Sequence, residues 1–253
     1  FGVMLLKETE LKQNAALYHE RQKNNSSDSP PIFLERKKEV FSDYDLATRR
    51  AAYYRWKSTE SLDKLLITFE ANAIKAGIKV LWAVDAIQAH AELNTVINKF
   101  QQSKIQINTC YNELETEKLI LPLSANTKSK ISICDAIFVS AEPAIVACLS
   151  DNNFSESDVK ILLTSVDKLA SSVNELELLM SLQSLQKSNS RKSFSLISNA
   201  GSNSHKQEVY VLIFDNGRSK LLESQTDRQM LHCIDCGICQ AVCPITESIG
   251  TTG

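Results

Sequence analysis

Glycine is scarce in this chain: seven among 253 residues, at positions 2, 77, 201, 217, 237, 250 and 253. None of them falls into G-x-G-x-x-G or a P-loop, so two common phosphate cradles are missing and a dinucleotide enzyme is not expected. Long apolar runs are missing too. The longest, such as Tyr210-Val-Leu-Ile-Phe214, are strand-sized, far short of the ~20 residues a membrane span needs. There is no basic excess, with 28 lysines and arginines against 30 acids and a net charge of −2. Nucleic acid is therefore not an expected partner. The chain begins at Phe1 with no positive–apolar–small-residue leader, and residues are expected to precede it in the whole protein.

What is there is a cysteine run. Of seven cysteines, those at 110, 134 and 148 are widely spaced, and those at 233, 236, 239 and 243 fall within eleven positions. That is no disulfide framework, and it points to a reducing, cytoplasmic compartment. Hydrophobic content of 43% and charged content of 23% match an ordinary globular protein, with length enough for one large domain and appendages.

Along the chain, residues 3–23 read as a polar helix with a thin apolar face, and 24–31 as a flexible connector. Ser42-Asp-Tyr-Asp offers a cap for a helix through about Lys57. From Ser58 or Ser61, Leu62, Leu65, Leu66, Phe69 and Ile74 recur at helical spacing, and Gly77 stands where a C-terminal cap belongs. A strand over 78–84 follows, then Asp85 as the cap of a helix running to about Phe100, then a strand over 104–111. Helix–strand–helix–strand at this spacing predicts an α/β layer with parallel pairing. Strands are also expected over 130–140 and 144–150, joined by a tight turn at Glu142-Pro143, and over 159–165 and 208–214. A helix is expected over 174–186, mostly loop over 187–207, a turn at 215–218, and helix over 219–231 leading into the cysteines.

The run Cys233-Ile-Asp-Cys236-Gly-Ile-Cys239-Gln-Ala-Val-Cys243-Pro244 has iron–sulfur spacing. Three thiolates in C-x₂-C-x₂-C wrap one face of a 4Fe–4S cube, and a fourth ligand completes it. Gly237 relieves crowding where the backbone turns, and Pro244 fixes the exit. Zinc ribbons pair one C-x₂-C with a distant second knuckle, which this sequence lacks. In two-cluster ferredoxins the fourth cysteine of such a run serves the other cluster. Cys233, Cys236 and Cys239 then need one more thiolate, and Cys243 needs three. A missing C-terminal segment, another chain, or recruitment of Cys110, Cys134 or Cys148 would each supply them.

The C-terminal residues carry a resemblance. Val209–Ser219, with its Asp215-Asn-Gly-Arg-Ser, and Arg228–Pro244 resemble the lactate-utilisation iron–sulfur protein B family. There a strand ending in D-N-G-R-S leads to C-I-x-C-G-x-C-x-x-V-C-P. Ser195-Leu-Ile-Ser, Gly77-Ile-Lys-Val-Leu-Trp-Ala-Val-Asp85-Ala and Cys134-Asp-Ala-Ile-Phe-Val-Ser-Ala-Glu142 resemble further segments of that family in consistent order over about 58–244. The resemblance implies an α/β LUD domain similar to the NagB/RpiA/CoA-transferase-like fold. An N-terminal helical arm (1–57) would precede the domain (58–218), and a ferredoxin-like segment (219–253) would follow it. It also implies 4Fe–4S clusters, two in the full-length protein, on Cys233, Cys236, Cys239 and Cys243. The function implied is electron transfer in a complex oxidising L-lactate to pyruvate, with other subunits of that redox complex as partners. Such a chain is an electron-transfer component rather than a self-contained enzyme. The family's E-T-G-T turn has become Glu142-Pro-Ala-Ile here, which keeps open a degenerate domain that scaffolds a larger redox assembly. An enzyme of the CoA or sugar-phosphate type is allowed by the fold and demanded by no residue. His232 is placed either to touch a cluster sulfur or as a plain linker histidine. Asp215 and Arg218 are placed either to anchor a ligand or in a turn clasped by its own Asp and Asn, and Glu142 either as an acid or base in a cleft or as an ordinary turn carboxylate.

Overall fold

A computed structural model describes residues 40–100, 103–108, 111, 129–150, 154, 156–184, 193–199 and 207–235. The expected helix at 3–23 and the connector at 24–31 lie outside them. Two compact units emerge: Asp45–Met180 with Ser190–Cys233, and Phe1–Tyr44 with Ser181–Asn189 and Ile234–Gly253. In the second of these, among the described residues, the Gln183 side-chain amide donates to the Asp235 carbonyl at 3.5 Å and Phe41 meets Tyr44 edge-on.

The first unit is α/β. Its elements are α1 (Tyr44–Glu60), α2 (Leu62–Lys75), β1 (Lys79–Ala83), α3 (Ala86–Lys99), β2 (Ser103–Asn108), β3 (Ser129–Glu142), β4 (Ile145–Ser150), β5 (Val159–Ser165), β6 (Leu169–Ser172), α4 (Val173–Ser184, which continues into the other unit), β7 (Ser193–Ile197) and β8 (Glu208–Phe214). Strand order is β1-β8-β5-β3-β4-β7, with β2 and β6 also pairing β3. β1, β8, β5, β3 and β2 run parallel. Beyond a bulge at Ala136/Phe138, the second half of β3 takes β4 antiparallel and β6 parallel. The sheet is mixed and mostly parallel, as the sequence predicts.

Alternation explains the layers. In β8, Val209, Val211 and Ile213 face a core shared with Leu62, Leu65, Phe69 and Ala73 of α2. Tyr210, Leu212 and Phe214 face the other side, against Ala89, Leu93, Val96 and Ile97 of α3. Every residue of β5 is buried, as in a parallel strand covered on both faces. Each helix then docks by an apolar stripe, and a fully buried leucine or phenylalanine side chain contributes ~1.5–3 kcal/mol.

Local signals fix the ends. α2 stops in a Schellman arrangement: Ile78 N–H reaches Ala73 O at 2.9 Å and Gly77 N–H reaches Ile74 O at 3.0 Å, with Gly77 at φ +77°. Asp85 caps α3, its carboxylate accepting from Gln88 N–H at 2.8 Å. The turn between β3 and β4 holds a cis Glu142–Pro143 bond. Three expectations need correction. Within the expected loop, Ser193–Ile197 is strand β7, because β4 offers an antiparallel edge to it. The expected helix at 219–231 is two 3₁₀ segments, Arg218–Glu223 and Asp227–His232, broken at Ser224-Gln-Thr226. The expected strand over 104–111 is β2, Ser103–Asn108.

Candidate functional site

The C-terminal ends of the parallel strands carry the polar residues, which is where open α/β sheets place their sites. Asp215, just after β8, accepts from the backbone N–H and the hydroxyl of Ser219, both at 2.7 Å. Its loop keeps Asn216 at φ +46° and Gly217 at φ +83°. Asp215 therefore clasps its own turn. Arg218 closes the turn and reaches beyond it: its Nη1 donates to Asp215 O at 3.4 Å, its Nε lies 3.2 Å from the Asp167 carboxylate, and its guanidinium lies over the Phe214 ring. Asp167 follows β5, accepts from the Ser165 hydroxyl at 2.5 Å, and also faces Lys168 Nζ at 3.8 Å.

Arg55 of α1 lies beside this cluster. It is 1% exposed. Its Nη1 donates to Leu169 O at 3.2 Å, and its Nη2 to Leu231 O at 2.5 Å and to Asp167 O. Phe138 lies between two cations, with Arg55 Cζ 5.6 Å and Lys168 Nζ 5.7 Å from its ring centroid. Burial pulls the Arg55 pKa down from its ordinary value, and the charges of Asp167 and Cys233 partly restore it. Arg228 ties the same C-terminal segment back, with Nη1 2.6 Å from Glu60 of α1 and Nη2 2.6 Å from Leu222 O.

That segment delivers the cysteines. Leu231 is buried, His232 half-buried, and Cys233 exposed at the exit of the last 3₁₀ segment, its N–H reaching Met230 O at 3.3 Å. Burial, then the nearby Arg55 charge, hold the His232 pKa below its ordinary value, and its Nε2 is buried without a partner. Cys236, Cys239 and Cys243 lie outside the described residues. Among the described residues no group of three His, Cys, Asp or Glu side chains is placed to hold a metal ion. The donor chemistry of the run, thiols at C-x₂-C-x₂-C spacing whose described member, Cys233, is exposed, fits an iron–sulfur cluster. Cys134 and Cys148 are buried in the core on β3 and β4, with Lys160 of β5 close to both. Glu142 is exposed beside the β3–β4 turn.

Sequence reasoning singled out Cys233 and missed Arg55 and Lys160. A signal for Arg55 existed: the buried stripe of α1 is Ala47, Ala51, Arg55, Ser58 and Thr59, a small-residue face with one arginine at its centre.

A recess of about 100 Å³ opens at the other edge of the sheet, lined by Lys104, Gln106, Lys130, Ile131, Ser132 and Ser157. Lys130 there is paired with Glu156 at 2.8 Å.

Among known proteins, the chain is similar over 44 residues to proteins named Lactate utilization protein B. Identity is 43% for the one from Bacillus thuringiensis (strain Al Hakam) and 46% for the one from Bacillus cytotoxicus. The match covers 17% of this chain and 9% of each relative's length. No family model matches the chain. A crystal structure of a DUF162 family protein from Deinococcus radiodurans overlaps 61% of this chain and 98% of its own, at 15% identity and a TM-score of 0.47. No helix among the described residues is long and apolar enough to cross a membrane.

Proposed function

We propose that the chain is an iron–sulfur electron-transfer subunit, with Cys233, Cys236 and Cys239 as ligands of one 4Fe–4S cluster and Cys243 as a ligand of a second. The cysteine run carries this reading, together with the exposure of Cys233 at the end of a segment pinned to α1 by Arg55 and Arg228. When bound, a cluster accepts and passes on single electrons by outer-sphere transfer. The protein's part is to hold the thiolates and set the local charge.

The same reading takes the α/β unit as a LUD-type domain. Support comes from the two resembling segments at Gly77–Ala86 and Val209–Ser219, far apart in sequence and paired in space as β1 and β8, Lys79 opposite Tyr210. The finer assignment, to an assembly that oxidises L-lactate with partner subunits in the cytoplasm, rests on that resemblance and on the 44-residue similarity.

Anaerobic purification with iron and sulfide counting tests the first claim. Near-equal iron and sulfide, with the broad visible absorbance of thiolate-bound clusters, is the expected result. Iron-free protein after anaerobic reconstitution of the full-length chain would overturn it and favour the scaffold. For lactate, the measurement is lactate-dependent bleaching of that absorbance with candidate partner subunits present.

A further inference from the structure

Arg55 is a charged side chain that is 1% exposed and hydrogen-bonded to three neutral carbonyl oxygens. Desolvating a guanidinium costs several kcal/mol, and proteins usually offset that cost with a bonded carboxylate. Here the Asp167 carboxylate is taken by Arg218 and Lys168, and Arg55 bonds only the Asp167 backbone. Its Nε has no partner. Arg55 therefore lacks a bonded carboxylate of its own. One of the three carbonyls belongs to Leu231, two residues before Cys233, and Cys233 lies within electrostatic reach of the guanidinium. A buried cation held this way complements an anion at Cys233. A thiolate-bound cluster is anionic and gains a further negative charge on reduction.

We propose that Arg55 is the positioning residue of the cysteine run: it clips the segment that delivers Cys233 and holds a fixed positive charge beside the first cluster thiolate, raising the cluster's reduction potential. The second half of this inference rests on the electron-transfer reading, and the first half does not. Lysine at 55 keeps the charge and loses the three-carbonyl fork. Methionine keeps an apolar stem against Phe138 and loses both.

The test is hydrogen exchange on the cluster-free full-length chain, paired with the midpoint potential of the reconstituted chain. In Arg55→Lys and Arg55→Met, amides 227–233 are expected to exchange at least about tenfold faster, with those of β8 unchanged. The potential of Arg55→Lys is expected near wild type. That of Arg55→Met is expected to fall by about a tenfold change in the one-electron equilibrium, ~59 mV. Wild-type exchange at 227–233 in both variants overturns the clip. An unchanged potential in iron-replete Arg55→Met overturns the charge role. If Arg55→Met does not fold, Arg55→Gln replaces it, with the same expectations. A wild-type chain that takes up no cluster sinks the electron-transfer reading and the charge role together, and exchange at 227–233 still decides the clip.

Discussion

Lys160 is the second cation that the fold buries. It sits in the wholly buried strand β5, its Nζ 3.3 Å from the Gln207 side-chain oxygen and 4.8 Å from the centre of the Phe154 ring. Burial lowers its pKa, and the nearby thiols of Cys148 and Cys134 only partly oppose that. The unfolded chain then binds more protons than the folded one at pH values between the lowered pKa and the ordinary value of ~10.4. Stability from this group is reduced at neutral pH and recovers as pH rises through that window. Relative to Lys160→Met, the wild-type unfolding free energy measured in urea is expected to climb from pH 8 to pH 10; a flat difference would show the ammonium to be solvated. At Phe69, fully buried under α2, truncation to alanine is expected to cost ~3–5 kcal/mol, read as a lower urea midpoint. Apolar burial of this kind is written in helical periodicity and is legible from the sequence. The burial of Arg55 and Lys160 is not, because an isolated cation carries no pattern of its own and its partners are backbone carbonyls or distant side chains.

The elements that matched the sequence did so for local reasons. β8 is apolar from Val209 to Phe214, and β5 is apolar over Ile161–Leu163 and buried throughout, because helices cover both of their faces; their bounds coincide with the predicted ones. α3 begins at its predicted cap, so Asp85→Ala is expected to lose ~1 kcal/mol, checked by chemical denaturation, with Asp85→Ser retaining most of the stability. Gly77→Ala is expected to cost ~1–2 kcal/mol, since a side chain there must adopt left-handed backbone. β7 was hidden because Ser193-Phe-Ser-Leu-Ile197 lies in a serine- and asparagine-rich stretch and becomes a strand only against β4. The 3₁₀ segments at 218–232 share apolar spacing with an α-helix over so few residues, and what sets them is the Asp215 clasp and the grip of Arg55 and Arg228. The grip of Arg55 on Leu231, two residues before the cysteine run, is not legible, since the two residues lie 176 apart in sequence.

For the molecule as a whole, the spread of cysteines separates the proposed routes to completing a cluster. Cys134→Ala with Cys148→Ala is expected to leave iron content unchanged, because both thiols are buried in the sheet core, whereas Cys233→Ser is expected to lower it; iron lost in the double variant would mean the core thiols are recruited. The order of strands has a further consequence, one of timing. β8 lies between β1 and β5 yet, among the described residues, is the last strand made, some 130 residues after β1. A ribosome moving at ~5–20 residues per second holds a gapped sheet, two parallel edges with no strand between them, for seconds before residue 214 emerges. The cysteines follow within thirty residues of the strand that closes the gap. Synthesis thus delivers the cysteine run only after the sheet can close, and a chain arrested before Glu208 is expected to pellet rather than stay dispersed, its open edges pairing with those of its neighbours.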